Sequence, residues 1–176
     1  YGHTKARPPV NKSRNLTGGI NIIDSRLSGV SIKVKHSKWE DAFNCVRCTG
    51  QISSIEVINS VSDGFDADFS DLEMEYIRVQ KSGNDCVDVS AGQYSINTLI
   101  ADECGDKAIS IGEASSMRLS TLSARTAKIG IAIKDSSTLY LKQDYKEKFN
   151  FSRVDLDFAT YNKKQEYGTG RTIETP

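Results

Sequence analysis

Acidic and amide side chains recur every 22 residues in the middle of the chain, and they are the residues best suited to chemistry. They form two rows, which consist of Asp41, Asp63 and Asp85, and of Asn44, Asp66 and Asp88. Their oxygens accept hydrogen bonds from sugar hydroxyls, and calcium takes about six to eight such oxygens. Carboxylates stacked this closely also repel one another, which raises the pKa of some of them. The rows therefore predict a binding surface for an extended polysaccharide or for a cation.

The predicted binding surface extends beyond these two rows. Its ligand-binding candidates are Asp41, Asn44, Asp63, Asp66, Asp68, Asp85, Asp88 and Lys107. Between the rows runs a column of small residues, which are Ala42, Gly64, Cys86, Ala108 and Gly130. This column predicts a shallow groove along the stacked rows. The cation that these rows could hold is calcium, and its candidate ligands are Asp63, Asp66, Asp85 and Asp88. A purely structural role is favoured over ligand binding, because aspartates at strand starts bind the backbone N–H groups of turns.

Catalysis is a third interpretation of the same residues. Asp66, Asp85 and Asp88 could supply an acid and a base for glycoside hydrolysis, and Lys107 could act as the base of a lyase. Lys107 is more simply an ion-pair partner of neighbouring acids. Both histidines of the chain lie outside the repeated segment. We therefore expect no catalysis in this segment.

The spacing of these residues belongs to a repeat that runs through most of the sequence. Five blocks start at 22-residue intervals, from Asp41 to Ile129, and a sixth follows after 25 residues. Apolar and polar residues alternate within each block, which is the period of a β-strand. One apolar row consists of Phe43, Phe65, Val87, Ile109, Ile131 and Leu156. Because one unit cannot bury its apolar face alone, the coils must stack in parallel ladders. The sequence predicts an all-β fold, a right-handed parallel β-helix (solenoid) of about five to six coils.

The repeat divides the chain into three parts. Residues 1–17 form a polar, basic N-terminal segment, which we interpret as a solvated or cap-wrapping arm. Residues 18–142 form the β-helix coils. Residues 143–176 form the last irregular coil, the C-terminal cap and a tail, with an insertion of about three residues near 145–149 and mobile residues from 168 onward.

The four cysteines are too few for a dense disulfide framework in a chain of this length. Cys45 and Cys48 form a CxxC motif, but Cys86 and Cys104 are not spaced as a second pair of zinc ligands. Buried free thiols are the favoured interpretation of the cysteines.

The formal net charge is zero, with 23 basic and 23 acidic residues, so no overall field attracts nucleic acid or an anionic membrane. The charge is unevenly distributed, because residues 62–113 carry twelve acids and three bases. No apolar run approaches the roughly 20 residues that cross a bilayer, so no membrane span is expected. Because the chain opens at Tyr1 without an initiator methionine, we expect it to be part of a larger chain.

The repeated segment resembles bacterial right-handed parallel β-helix repeat proteins of the pectate-lyase-like superfamily. The resemblance covers residues 39–142 and rests on the segments 41–44, 62–70, 83–85, 105–113 and 131–135, and the ending 161–167 is also similar to that group. It is closest to repeats found beside spore-coat-kinase-like domains of surface proteins, which implies an extracellular or cell-surface location. It implies no particular activity, because this fold serves many functions. The Asn-Thr-Asp, Gly-His-Gly and Arg-Ile-Lys signatures of the pectin hydrolases are absent.

The sequence thus predicts a non-catalytic surface module that binds a glycan or a protein partner through its outer strand face. One alternative is a polysaccharide-degrading or -modifying enzyme, a lyase or hydrolase that uses the face of Asp66 and Asp88. The other is a purely structural spacer within a larger surface protein.

Overall fold

The computed structural model describes residues 16–164 and 166–176, and in these residues the chain forms an all-parallel β-solenoid of about six turns. The predicted parallel solenoid and its period of about 22 residues are confirmed. The basic arm lies within residues 1–15 for most of its length, so that prediction falls outside the described residues.

Each coil contains a short strand, a tight turn, a long strand and a second tight turn. The short strands are β1 (Gly18–Ile23), β3 (Asp41–Val46), β5 (Asp63–Asp68), β7 (Val87–Ser90) and β9 (Lys107–Gly112). The long strands are β2 (Arg26–Ser37), β4 (Thr49–Ser60), β6 (Asp71–Ser82) and β8 (Gln93–Cys104). The last elements are β10 (Ser116–Lys134), β11 (Thr138–Lys142), α1 (Tyr145–Lys148), β12 (Phe149–Tyr161) and β13 (Arg171–Thr175). Short strands pair with short strands and long with long, until β10 joins both ladders in one strand.

A corner divides each long strand into two segments. In β4, Ile52 and Ile55 are both buried although they are three residues apart, whereas a straight strand alternates its faces. The pairing of β4 with β6 skips Ser53 between these two residues. The chain therefore turns at Ser53, and each coil presents the short strand and two long-strand segments as separate faces.

Single residues in the left-handed region form the turns of successive coils. Those that follow the short strands are Asp24, Arg47, Phe69 and Ala91, and those at the ends of the long strands are His36, Asn59, Lys81 and Glu103. One residue with positive φ redirects the chain within very few residues. A residue other than glycine costs about 1–2 kcal/mol in this conformation, so each of these short connections carries local backbone strain.

The core consists of apolar columns inside the coils. Phe43 and Phe65 stack with ring centroids 5.2 Å apart, and both are fully buried. Val87, Ile109 and Ile131 continue this column through the parallel register. The predicted apolar row is therefore confirmed from Phe43 to Ile131. It is wrong for Leu156, which pairs with Ile129 and is 56% exposed, whereas Phe158 is the residue that pairs with Ile131.

The C-terminal end departs from the sequence prediction in one respect. The four-residue helix α1 lies where the insertion was predicted. The prediction of a mobile tail from residue 168 is wrong for residues 171–175, because β13 pairs with all five residues of β11. This strand starts a further coil on one face of the solenoid.

Candidate functional site

The two polar rows stack in register as predicted. Asp41 lies beside Asp63 in the pairing of β3 with β5, and Asn44, Asp66 and Asp88 are direct neighbours across β3, β5 and β7. Residues in the second row point away from the core, because they alternate with the buried phenylalanines. We call the half-buried carboxyl groups of Asp66, Asp68 and Asp88 the acidic groove.

The row that starts at Asp41 has a structural role in its later coils. Asp63 Oδ1 accepts hydrogen bonds from the backbone N–H of Asp85 at 2.8 Å and from Asn84 Nδ2 at 2.7 Å. Asp85 Oδ1 accepts from the backbone N–H of Lys107 at 3.0 Å, and its carboxylate lies 3.3 Å from Lys107 Nζ. Lys107 also pairs with Asp106. These candidates hold turns together, as the structural alternative predicts.

Asp41 and Asn44 are enclosed by the chain. Asp41 is 3% exposed and Asn44 4% exposed, so neither presents its side chain to a large ligand. Asn44 Nδ2 donates to Thr17 Oγ1 at 2.8 Å, to Asp41 Oδ2 at 3.2 Å and to Asp66 Oδ2 at 3.4 Å. The amide therefore links the buried end of the rows to the acidic groove.

The column of small residues does not form the predicted groove. A Cβ atom on Gly64 would lie 2.6 Å from Val79 Cγ1, which is a core atom. Cys86 in the same column is bonded to Cys104. Because the chain bends where each short strand begins, this column points inward beside the phenylalanine column, and its residues are small because the interior is crowded there.

Burial raises the pKa of the three carboxyl groups of the acidic groove and of Asp63 beside it. For Asp66, burial and the carboxylates of its neighbours raise the pKa well above the usual range. Burial and the charge of Asp88 raise the pKa of Asp68 to about 6. For Asp88, burial raises the pKa and the ammonium group of Lys134 opposes this rise. Outside the groove, burial raises the pKa of Asp63 to about 7.

The structure adds basic residues to this face that were not among the predicted site residues. Lys134 Nζ lies 3.8 Å from Asp88 Oδ1, and its side chain passes over the backbone of Gly112. The positive charge of Lys163 lowers the pKa of Asp88, and Lys164 forms an ion pair with Glu113. The signal for Lys134 was present, because it follows Gly112 by one 22-residue period. The lysines that follow β12 belong to an irregular segment that carries no such signal.

Three buried oxygens along the second row have no hydrogen bond within the described part of the chain. They are Asn44 Oδ1, Asp88 Oδ1 and Ser110 Oγ. Ser110 follows Asp88 in the register of β7 with β9 and is fully buried. Such groups are rare, since a buried polar atom without a partner costs about 1–3 kcal/mol. The Ser110 hydroxyl is itself a donor beside Asp88 and lowers the pKa of that carboxyl group, and Lys134 Nζ lies 3.8 Å from Asp88 Oδ1. Among the described residues of the row, Asn44 Oδ1 is therefore the acceptor that lacks any donor.

The geometry gives no support to the calcium hypothesis. Within residues 16–164 and 166–176, no three His, Cys, Asp or Glu side chains come together in a way that could hold a metal ion. Two of the four predicted ligands, Asp63 and Asp85, direct an oxygen to backbone N–H groups. The carboxylates are spread along the ladder and do not converge on one point.

The cysteines differ from the interpretation as free thiols. Cys86 and Cys104 form a disulfide with Cα atoms 5.3 Å apart, so the prediction is wrong for this pair. Cys45 and Cys48 are free and buried, as predicted. Burial and the neighbouring Cys48 raise the pKa of the Cys45 thiol far above its usual range, which makes it a poor metal ligand or nucleophile.

A second polar depression lies on another side of the solenoid, at the corner of the long strands. We call it the corner groove, and its polar lining residues are Gln51, Ser53, Glu73, Glu75, Ser95 and Asn97. Gln51 donates to Glu73 at 3.0 Å and Asn97 donates to Glu75 at 2.6 Å. Its carboxylates are therefore already bonded to neighbouring amides.

No known protein family, curated protein or solved structure shows a significant match to this chain. The resemblance to β-helix repeat proteins is thus supported at the level of the fold, an all-parallel β-solenoid of about six turns. In the described part of the chain, no helix has the length and apolar character needed to span a membrane.

Proposed function

We propose that the chain is a non-catalytic β-solenoid module that binds a glycan through the acidic groove. The observation that carries this proposal is the set of carboxyl groups that Asp66, Asp68 and Asp88 present together on one face of the solenoid. A sugar chain brings many hydroxyl groups, each of which can donate to carboxylate oxygens. Half-buried carboxyls at Asp66, Asp68 and Asp88 leave these positions within reach of a ligand.

The direction of the row favours an extended polymer. Asp66 and Asp88 are neighbours in the ladder, about 4.8 Å apart along the solenoid axis, so a chain lying along this axis meets the two carboxyl groups in succession. A folded protein partner is the competing ligand, and a binding experiment separates the two. A spacer without ligand is the outcome if neither binds.

The disulfide supports an extracellular or cell-surface location for the module. Disulfides form and persist in oxidising compartments and are rare in the cytosol. Cys86–Cys104 closes one coil within the solenoid core. Together with the resemblance to surface-protein repeats of the pectate-lyase-like superfamily, this supports a module of a larger surface protein.

A polysaccharide-cleaving enzyme is the second candidate, favoured by the environments of Asp66 and Asp88. Their spacing in the ladder is close to the roughly 5–5.5 Å between the carboxyls of retaining glycosidases. Neighbouring acids raise the pKa of Asp66, whereas lysines oppose the rise in the pKa of Asp88. A difference in pKa between two carboxyl groups can make one a general acid and the other a base. Against this role, Asp85 and Lys107 are occupied in a turn.

The test is a glycan array followed by titration calorimetry with matched double variants. Asp66→Ala with Asp88→Ala removes the acidic groove, and Glu73→Ala with Glu75→Ala removes the carboxylates of the corner groove. The proposal expects loss of binding in the first variant only, at an unchanged melting temperature. Loss in the second variant would move the site to the corner groove. Product formation on a polysaccharide panel, lost with the first variant, would establish the enzyme.

A further inference from the structure

Asp66 lies between two buried oxygens of the second row, Asn44 Oδ1 and Asp88 Oδ1. Asn44 and Asp88 are its direct neighbours in the parallel register, at about 4.8 Å on either side. Among the described residues, Asn44 Oδ1 has no hydrogen-bond partner, and Asp88 Oδ1 has only the ammonium group of Lys134 at 3.8 Å. An ionised Asp66 only accepts hydrogen bonds, whereas a protonated Asp66 has one O–H that it can donate to one of these oxygens.

The charged groups around Asp66 disfavour its ionisation. Those that act on it most strongly are the acids Asp41 on β3, Asp63 and Asp68 on β5, and Asp88 on β7. The Cys45 thiol of β3 is a further neighbour. The basic groups of this face are Lys107 on β9, Lys134 on β10, and Lys163 and Lys164 after β12. Among the described residues, three of these lysines are paired, namely Lys107 with Asp85 and Asp106, Lys134 with Asp88, and Lys164 with Glu113.

We propose that the acidic groove is a proton-linked site, in which Asp66 retains its proton and donates its O–H within the row while a glycan is bound. The ligand part of this inference rests on the proposed function, whereas proton binding by Asp66 does not. Protonation supplies the missing donor and leaves Asp88, with Lys134 beside it, as the charged member of the pair. Ionisation removes the donor and places a second charge next to Asp88.

The consequence is a groove that binds its ligand more tightly in acid than in alkali. If the ligand binds only the protonated form, its dissociation constant rises up to about tenfold for each pH unit above the pKa of Asp66. The raised pKa, which follows from burial and from the neighbouring acids, moves this loss of affinity toward neutral pH.

The test compares the full chain with Asp66→Asn, which keeps the shape of the side chain and carries a permanent N–H donor. Asp155→Asn is the matched control, because Asp155 is an exposed carboxylate on β12. Carboxyl carbon signals are followed by NMR from pH 4 to 9. We expect a carboxyl signal, distinct from the signal that Asp63→Asn removes, that titrates well above the usual pH range of an aspartate in the parent and in the control, and that disappears in Asp66→Asn. The inference is overturned if that signal persists in Asp66→Asn or is absent from the parent.

The ligand part is tested with the strongest oligosaccharide from the glycan array. We expect at least tenfold weaker binding at pH 8 than at pH 5 for the parent, and less than threefold for Asp66→Asn. Equal affinity at both pH values in a parent whose Asp66 titrates would overturn the coupling. Titration of Asp66 together with a complete lack of glycan binding would refute the proposed function and leave proton binding by Asp66 established.

Discussion

The Cys86–Cys104 disulfide makes a quantitative prediction about stability. The two cysteines are 18 residues apart and join the start of one coil to its end. Cross-linking a loop of this length lowers the entropy of the unfolded chain by an amount worth about 3 kcal/mol at 25 °C. This is a large share of the roughly 5–15 kcal/mol that holds a typical domain folded, yet it leaves a reduced protein able to fold.

The repeat itself supplies the appropriate variant. The same two positions hold Ala42 and Ser60 two coils earlier, and all four side chains of these two pairs are buried. The double variant Cys86→Ala with Cys104→Ser therefore places in this coil a pair of residues that another coil already accommodates. Loss of the cross-link, rather than a new cavity, dominates its effect.

The assay is urea unfolding followed by circular dichroism, with and without a reducing agent. We expect the unfolding free energy of the oxidised parent to exceed that of the double variant by about 3 kcal/mol. The reducing agent should lower the unfolding free energy of the parent and leave that of the variant unchanged. Thiol counting in unreduced, unfolded parent should find two reactive groups, from Cys45 and Cys48. Four reactive thiols, or equal stability of parent and variant in the oxidised state, would refute this account.

Three further predictions follow from the core, the turns and the buried acids. Phe65→Ala removes a fully buried ring from the central column, and calorimetry should show a loss of about 3–5 kcal/mol. Lys81→Gly relieves a residue with φ of 65° and should raise the unfolding free energy in urea by about 0.5–1 kcal/mol, whereas a loss would contradict the left-handed turn. Because burial raises the pKa of Asp63 to about 7, folding stability should fall as pH rises from about 4 to 7. Measured as melting temperature against pH, this fall should be smaller in Asp63→Asn. An unchanged dependence of melting temperature on pH would exclude Asp63 as its source.

The solenoid could be predicted from the sequence because stacking in register turns a spatial neighbour into a residue 22 positions away. Phe43 and Phe65 show this directly, since one period separates them in the chain and 5.2 Å separates their rings. The corner at Ser53 was not predicted, although the three-residue step from Ile52 to Ile55 was visible in the sequence. The turns were not predictable either, because residues such as Lys81 adopt the left-handed region without being glycine.

The candidate site was predicted as a set of rows, but not as a surface. Register alone does not say which residues accept hydrogen bonds from turns, so Asp63 and Asp66 looked equivalent in the sequence. Strict alternation predicts that Gly64 faces outward, because Phe65 faces inward. The alternation fails where the chain bends before Phe65, and both residues point inward. Cys86 and Cys104 pair across a coil, and nothing in their spacing alone indicates this distance.

The central claim is that a glycan lies along the acidic groove. The most direct measurement is chemical-shift mapping on isotope-labelled protein while an array-selected oligosaccharide is added. The account predicts that the largest shift changes occur at Asp66, Asp88 and Ser110 and follow one binding curve. Changes centred on Glu73 and Glu75, or no changes at saturating oligosaccharide, would contradict it.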